Sequence, residues 1–318
     1  MLDRGPIFIG GLDRSGKTYM RFMLSSHPDI TLTRRTNMWP NFYNRFGDLS
    51  RVDNFERCLE AMMQYKHIHS LEPDLERIRR EFWQESPTYA RLFALIHEQY
   101  AQRQGKSRWG DQTELIERFA DLIFDAYPNA RLIQMIRDPR DHFEASKQRR
   151  RNSKGRVGDS TARWLYSISL ARRNQRNYPD RYKIVRYETM VSQPEETMRD
   201  VCGFLGEEYS PGMLTMQGVP RFWKENGLQV NPGDSPLRKD FIGSFRRGIS
   251  QNEIAFIQKY AGRYMLLYDY LLEPIRLSTG EKLHFYLVDW GVNVARMQSW
   301  YAMKLFQREF TTKVGVGL

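Results

Sequence analysis

Short apolar runs alternate along the chain with longer stretches in which apolar residues recur every three or four positions. Three of the runs predict buried strands, because each is short, continuous and bounded by turn-forming residues. They are residues 6–12 (PIFIGGL), 131–136 (RLIQMI) and 182–186 (YKIVR), and further strand candidates lie at 30–32 and 107–109. Helical periodicity predicts helices at 18–26, 53–66, 88–103, 114–126 and 160–177, and one that starts at Gln193-Pro194.

This alternation of strand and helix predicts the fold class. It is typical of α/β proteins with three layers, in which a central parallel sheet carries helices on both faces. In such sheets ligands bind beyond the carboxyl ends of the strands. We therefore expect the functional residues directly after the strands.

The residues that follow the first strand match a phosphate-binding loop. Residues 11–18 read Gly-Leu-Asp-Arg-Ser-Gly-Lys-Thr, which satisfies G-x-x-x-x-G-K-[ST] between a strand and a helix. Glycine lets the backbone turn tightly, the amides point inward, and the helix N-terminus adds a positive dipole. Lys17 and Arg14 supply a mobile and a forked cation. The loop predicts an anion site in a P-loop NTPase-like fold.

The kind of anion is left open by the loop alone. An ATP-dependent kinase or NTPase also needs an acidic residue after a later strand to hold magnesium. Asp138 follows the strand at 131–136, but Arg137 and Arg140 flank it, which suits a second anion better than a divalent cation.

Several segments, in the right order over residues 5–270, together resemble the PAPS-dependent sulfotransferases, where PAPS is 3′-phosphoadenosine 5′-phosphosulfate. These segments are RSGKT at 14–18, RWGD at 108–111, RDPRD at 137–141, Tyr187-Glu188 within RYETM, and RKDFIGSFR at 238–246. The resemblance implies PAPS as the donor and PAP (adenosine 3′,5′-bisphosphate) as the product, with no metal required.

The resemblance also implies roles for individual residues. The 5′-phosphosulfate is expected at Arg14, Ser15, Gly16, Lys17 and Thr18, the 3′-phosphate at Arg137 and Ser146, and further donor contacts at Tyr187, Arg238 and Lys239. Tyr19 falls where an aromatic ring packs on the adenine, although it reads equally well as a core aromatic. Ser146 lies nine residues after Arg137, one more than is usual in the family, which turns a helical side chain by roughly 100°.

Three departures from the family pattern concern catalysis. Lys17 replaces a threonine, Arg35 stands where relatives have a glutamate base, and Gln112 stands where they have a lysine. Lys17 could stabilise the leaving group in place of that lysine. Asp13 and Asp111 are the candidate bases, although Asp13 could pair with Lys17 and Asp111 could be an orienting residue.

The acceptor is not identified by these motifs. Arg35, Trp39 and Gln112 are the candidate substrate contacts, and residues 33–52 are either an acceptor-binding loop or an irregular packed connection. An acidic acceptor would suit Arg35, and an amine or a phenol of low pKa would need little help from a base. We expect sulfuryl transfer to a hydroxyl or amine of a small molecule or glycan. The alternatives are a P-loop kinase and a nucleotide-binding protein without transferase activity.

The composition bears on the cellular compartment and on the kind of ligand. The 318 residues carry a formal net charge of +11, which favours anionic ligands. Two cysteines, Cys58 and Cys202, are too few for a disulfide framework and predict a reducing, cytoplasmic compartment. No signal peptide, membrane span or nucleic-acid-binding module is predicted. The basic run at 147–156 is a solvated helix end or a contact to an acidic substrate or membrane surface.

The chain is predicted to comprise a sulfotransferase domain at 1–275 and a helical extension at 276–318 packed on it. Residues 283–310 are predicted to form an amphipathic helix, which docks on the domain, mediates a homodimer or touches a membrane surface. His67 and His69 alternate, but no third ligand follows them, so no metal site is predicted.

Overall fold

A computed structural model describes residues 4–149, 156–216, 224–225, 228–229, 237 and 239–313. The strands are Ile7–Gly11 (β1), Ile30–Arg34 (β2), Arg108–Gln112 (β3), Arg131–Ile136 (β4), Tyr182–Arg186 (β5), Lys224–Glu225 (β6) and Leu228–Gln229 (β7). The helices are Lys17–Ser25 (α1), Met38–Asn41 (α2), Val52–Gln64 (α3), Lys66–His69 (α4), Leu75–Phe82 (α5), Tyr89–Arg103 (α6), Ala120–Ala126 (α7), Pro139–Arg149 (α8), Val157–Asn177 (α9), Tyr187–Ser192 (α10), Pro194–Leu205 (α11), Gly212–Thr215 (α12), Phe245–Gly248 (α13), Gln251–Leu267 (α14), Thr279–His284 (α15) and Trp290–Lys313 (α16), with 3-10 turns at Ile116–Phe119 and Lys239–Phe241 and a π-helical stretch at Phe285–Asp289.

The first five strands form one parallel sheet in the order β2-β3-β1-β4-β5. β1 is central, with Ile7 opposite Gly110 of β3 on one side and Arg131 of β4 on the other. Every residue of β1 is buried, which is why this strand is a continuous apolar run. The predicted parallel α/β sheet and its three main strands are confirmed, and the two further candidates are strands of five residues each.

Consecutive residues of β3 show that helices cover both faces of the sheet. Asp111 accepts a hydrogen bond from Thr33 on the face where α6 packs, whereas Gln112 accepts one from Arg21 of α1 on the opposite face. Side chains alternate along a strand, so neighbouring residues serve different layers. The three-layer prediction is therefore confirmed.

Several helices of the structure, α14 among them, are absent from the predictions, and two of the differences have a clear local cause. The predicted helix at 114–126 starts as a 3-10 turn at Ile116–Phe119, because Leu115 has a left-handed backbone with φ 56°. Helix α5 is absent from the predictions, since only Ile78 and Phe82 of its eight residues are buried and the rest are mostly charged. Its N-terminus is capped by Asp74, whose side chain accepts a hydrogen bond from the Arg77 amide.

Residues 33–52 form a packed connection. Trp39, Phe42 and Leu49 are buried in the main hydrophobic core together with residues from α3, α5 and α6. These three side chains therefore agree with the second interpretation of the segment, an irregular packed connection.

The chain divides into two compact units. The first contains residues 1–11, 16–135 and 173–238, including the sheet up to Met135, and the second contains residues 12–15, 136–172 and 239–318. The boundary predicted at 275/276 stays a prediction.

The C-terminal helix packs within the second unit. Trp300 and Met297 cluster with Ala162 of α9, and Trp290 contacts the rings of Phe256 and Tyr260 in α14. Of the helix predicted at 283–310, the part over α16 is confirmed. The residues before it lie in α15 and the π-helical stretch, where Leu283, Leu287 and Val288 are 62, 73 and 50 % exposed. A dimer or membrane role for this helix stays a prediction. Within the described ranges, no helix combines the length and apolar character needed to cross a membrane.

Candidate active site

The phosphate loop turns on two glycines in left-handed conformations. Gly11 ends β1 with φ 107°, and Gly16 precedes α1 with φ 92°. A Cβ on Gly16 would lie 2.7 Å from Cδ2 of Tyr187, so glycine is required here for space as well as for conformation. This contact places Tyr187 against the start of α1.

Lys17 folds back over the loop. Its side chain is 4 % exposed, and its Nζ donates a hydrogen bond of 2.7 Å to the carbonyl oxygen of Gly11. The ammonium has three protons and can donate to more than one acceptor.

A buried carboxylate supports the loop from below. Oε2 of Glu117 accepts a hydrogen bond of 2.8 Å from the amide of Gly11, and the residue is fully buried. A Cβ on Gly10 would lie 2.4 Å from the same oxygen, so this glycine makes room for the carboxylate. Sequence reasoning missed Glu117, because no motif marks an acid in a turn about a hundred residues away from the loop.

The position of the missing family lysine has a cation beside it. Gln112 is 3 % exposed and its Oε1 accepts a hydrogen bond of 3.2 Å from Nε of Arg21, which is itself 8 % exposed. Arg21 was not among the predicted site residues. Its place on α1, one turn after Lys17, is a signal that helical spacing could have supplied.

Asp111 is held by two hydroxyl groups. Thr33 donates to Oδ1 at 2.8 Å and Thr113 donates to Oδ2 at 2.9 Å, and the carboxylate is 2 % exposed. These contacts are those of an orienting residue, one of the two roles considered for Asp111. Its role as a base stays a prediction.

Cations gather at the carboxyl end of β2. Arg35 has a left-handed backbone (φ 50°), and its amide donates to the carbonyl of Gln112 at 2.8 Å. Burial lowers the pKa of His67, and the charges of Arg34, Arg35 and Lys66 lower it further. His67 is therefore neutral in a cationic neighbourhood.

Two predicted donor contacts in the first unit are aromatic neighbours. The rings of Tyr19 and Tyr187 are stacked with centroids 6.4 Å apart, and both residues are buried. Trp39, a predicted substrate contact, is 3 % exposed and stacks on Tyr43 in the core. Their roles toward donor and acceptor stay predictions.

In the second unit, Arg137 binds the backbone of the loop. Its two terminal nitrogens donate to the carbonyl of Arg14 at 3.1 Å and to that of Phe241 at 2.8 Å. Ser15 closes the turn by donating from its hydroxyl to the carbonyl of Leu12 at 2.7 Å. The guanidinium thereby ties the loop to the segment that follows Lys239.

Carboxylates organise the same unit. Asp138 is engaged by Arg140, whose Nη2 lies 2.6 Å from Oδ2 and whose Nε lies 3.0 Å from Oδ1. Asp141 accepts hydrogen bonds from the amides of Gly243 and Phe245 at 2.7 and 2.9 Å, and burial raises its pKa. It fixes the turn that follows Lys239, which is itself exposed.

A buried histidine lies behind Asp13. Burial and the charges of Arg163 and Arg137 lower the pKa of His142 to about 3, and its ring hydrogen-bonds the backbone of Asp13. The imidazole is therefore neutral and positions the loop. Ser146 donates its hydroxyl to the carbonyl of His142 at 2.8 Å, so its predicted contact to the 3′-phosphate requires that bond to be exchanged. Arg238 lies outside the described residues.

One group of side chains has metal-ligand character. His27, Asp29 and Glu207 bring one ligand atom each within 4.8 Å of one another. Both ring nitrogens of His27 are already hydrogen-bonded to backbone groups, and Glu207 is paired with two arginines. Structural contacts account for this group.

Comparison with known proteins agrees with this geometry. The protein-tyrosine sulfotransferase of Drosophila melanogaster is 26 % identical over 216 residues, which make up 65 % of this chain but only 39 % of that protein. The chain thus spans about two fifths of that relative's length. Two solved sulfotransferase domains share the fold: one from the Curacin biosynthetic pathway (TM-score 0.53, 16 % identity, covering 85 % of this chain and 99 % of that one), the other from the Synechococcus PCC 7002 olefin synthase (TM-score 0.50, 19 % identity, covering 80 % and 94 %).

A family model described as the sulfotransferase family matches residues 6–211, from the residue before β1 to the connection between α11 and α12. This match contains the phosphate loop, Arg137 and Tyr187, whereas the similar segment at 238–246 lies beyond it. Since it covers the greater part of the chain, the protein belongs to the sulfotransferase family.

Proposed function

We propose that this protein transfers a sulfuryl group from PAPS to a phenolic hydroxyl on an anionic acceptor. The observation that carries the proposal is the phosphate loop, where the buried Lys17 ammonium lies against Gly11 and Arg137 donates to the carbonyl of Arg14. A donor with phosphates at both the 3′ and 5′ positions needs two cationic cradles, and family membership favours this donor.

Lys17 is assigned to the leaving group. In sulfuryl transfer the bond between sulfur and the bridging oxygen breaks, and negative charge builds up on the departing phosphate. A cation fixed beside that oxygen stabilises the transition state more than the ground state. Gln112 cannot supply such a charge, and Lys17 takes its place in the proposal.

A phenolic acceptor is consistent with the absence of the glutamate base that related enzymes have at the position of Arg35. A tyrosyl hydroxyl has a pKa of about 10, well below that of an aliphatic alcohol, so it becomes nucleophilic with little help. The relative from Drosophila melanogaster is named a protein-tyrosine sulfotransferase, which supports a tyrosyl acceptor. Arg34, Arg35 and Lys66 favour acidic groups near the acceptor hydroxyl.

The kinase alternative has less support. In a P-loop kinase the acidic residue after the later strand holds the magnesium ion. Here both oxygens of Asp138 are engaged by Arg140. Asp138 thus acts as a partner of an arginine.

Arg137→Ala should weaken PAP binding about 10- to 100-fold, because a charge-assisted hydrogen bond contributes roughly 1.5–3 kcal/mol. Calorimetry with PAP, and with ATP plus magnesium in parallel, measures this. Arg199→Ala is the control, since Arg199 is 60 % exposed, pairs with Glu195 in its own helix and lies over the ring of Tyr209. Binding of ATP with magnesium but not of PAP would replace the proposal by the kinase reading.

Arg35→Gln should reduce the preference for acidic acceptors. Against wild type, the ratio of kcat/KM for a tyrosine peptide flanked by glutamates to that for its glutamine-flanked counterpart should fall about tenfold, equal to roughly 1.4 kcal/mol. Arg80→Gln, on the exposed side of α5, should leave the ratio unchanged. An unchanged ratio in Arg35→Gln would remove Arg35 from the acceptor site, and PAP binding without transfer to any peptide would indicate a silent family member.

A further inference from the structure

Three buried side chains form a chain of hydrogen bonds at the carboxyl ends of β2 and β3. Thr33 and Asp111 are direct partners on these parallel strands, and His97 of α6 packs over them. Oγ1 of Thr33 lies 2.8 Å from Oδ1 of Asp111 and 3.1 Å from Nε2 of His97. All three residues are at most 3 % exposed, so water does not complete their hydrogen bonds.

The orientation of the His97 ring is determined by its other nitrogen. Nδ1 lies 2.7 Å from the carbonyl oxygen of Phe93, and a carbonyl can only accept, so Nδ1 carries a proton. The ring also stacks on Trp109, with centroids 4.6 Å apart and an interplanar angle of 19°. Nε2 is consequently the nitrogen that faces Thr33.

With His97 neutral and Asp111 ionised, the three side chains have one proton too few for the hydrogen bonds between them. Thr33 has one hydroxyl proton but two close neighbours that both need one, Nε2 of a neutral His97 and Oδ1 of an ionised Asp111. Its third neighbour, the carbonyl of Gly110 at 3.1 Å, can only accept. Whichever way the hydroxyl turns, one contact sets two lone pairs against each other in a low-dielectric site.

We infer that His97, Thr33 and Asp111 share one additional proton, and that His97 thereby acts as a positioning residue for Asp111. With the proton on Oδ1, Asp111 donates to Thr33 and Thr33 donates to Nε2. With the proton on Nε2, His97 donates to Thr33 and Thr33 donates to Oδ1. One form becomes the other when the O–H bond of Asp111 breaks, the Thr33 proton moves to Nε2, and Thr33 receives the Asp111 proton.

The surroundings act on the His97 proton in opposite directions. Burial lowers the pKa of His97, while the Asp111 charge and the Phe93 carbonyl act in the opposite direction. Two titratable groups interact with the Asp111 charge, His97 on α6 and His67 on α4, and the charges of Arg34, Arg35 and Lys66 act on His67. Oδ2 of Asp111 is filled by Thr113, whose hydroxyl also accepts from the Asn37 amide at 3.4 Å.

The consequence of the shared proton for catalysis rests on the proposed function. While the shared proton is on Oδ1, Asp111 does not take the proton of the acceptor hydroxyl. It instead holds Thr113 and Asn37, next to Arg35 and Gln112, in one arrangement.

Asp111→Asn tests the shared proton without any donor or acceptor. The asparagine amide can donate to Thr33 and accept from Thr113, so the variant keeps the hydrogen bonds and needs no extra proton. In wild type the folded state holds the proton, whereas the unfolded state, with pKa values of about 3.9 for Asp and 6.5 for His, holds it only on the histidine at low pH. From about pH 5.5 to 8.5, the folding constant of wild type should therefore fall relative to Asp111→Asn by up to about tenfold per pH unit.

Urea unfolding at a series of pH values measures this ratio. Thr33→Val removes the hydroxyl that links His97 to Asp111, so its pH curve should resemble that of Asp111→Asn. Thr33→Ser keeps the hydroxyl and should follow wild type. This pair of variants tests the inference if Asp111→Asn does not fold. Parallel pH curves for wild type and Asp111→Asn, or for Thr33→Ser and Thr33→Val, overturn the inference. Diverging curves in a protein without sulfuryl transfer would instead leave the shared proton standing and refute the proposed function.

Discussion

Lys17→Met is expected to lower kcat for sulfuryl transfer by about 10²–10³-fold, the loss that follows removal of one fixed donor from a developing negative charge. The Lys17 ammonium is held at 2.7 Å from the Gly11 carbonyl and is nearly buried, so water cannot replace its charge beside the bridging oxygen. Methionine has a similar length and volume, and the fold should lose at most about 1–2 kcal/mol for the hydrogen bond to Gly11.

A rate assay with labelled PAPS and a tyrosine peptide measures kcat, and urea unfolding measures stability. Lys106→Met is the matched control, because the Lys106 ammonium also donates to a backbone carbonyl, that of His27, away from the phosphate loop. Its kcat should equal that of wild type. If Lys17→Met retains wild-type kcat, the leaving group is stabilised elsewhere, and Arg21 beside Gln112 becomes the next candidate.

Arg108→Met is expected to destabilise the fold by about 3–5 kcal/mol, because it leaves a buried carboxylate without its buried cation. Nη1 of Arg108 lies 2.9 Å from Oε1 of Glu207, and the two side chains are 4 and 2 % exposed. The same guanidinium donates to the carbonyls of Gly5 and Leu205. Burial lowers the pKa of Arg108, and the bond to Glu207 works against that shift.

Urea or thermal unfolding measures this loss, and the double variant Arg108→Met/Glu207→Gln should recover part of it by removing the stranded charge. Arg199→Ala breaks an ion pair in which both partners are more than half exposed, so it should change stability by less than about 0.5 kcal/mol. A loss of under 1 kcal/mol in Arg108→Met would show that Arg4, which also contacts Glu207, is sufficient to neutralise it.

Local pattern was a reliable guide wherever a feature is contiguous in the chain. β1, β4 and β5 are apolar runs because they lie in the interior of a parallel sheet, and the phosphate loop is recognisable because its residues follow one another. β3 was harder to predict in full. Its residues, RWGDQ, are mostly polar, yet all five are buried, because Arg108, Asp111 and Gln112 each find a partner from another element.

By itself, the sequence determined the α/β class, the main strands and the loop that matches a phosphate-binding motif, since each depends on neighbours within a few residues. Only the tertiary structure decided which distant side chains meet: Glu117 under Gly11, Arg21 beside Gln112, and His97 over a strand pair 64 residues from its partner Thr33. Those pairings depend on sheet register and on the face that each helix presents. Neither leaves a periodic trace along the chain, because a single buried polar contact has no repeat.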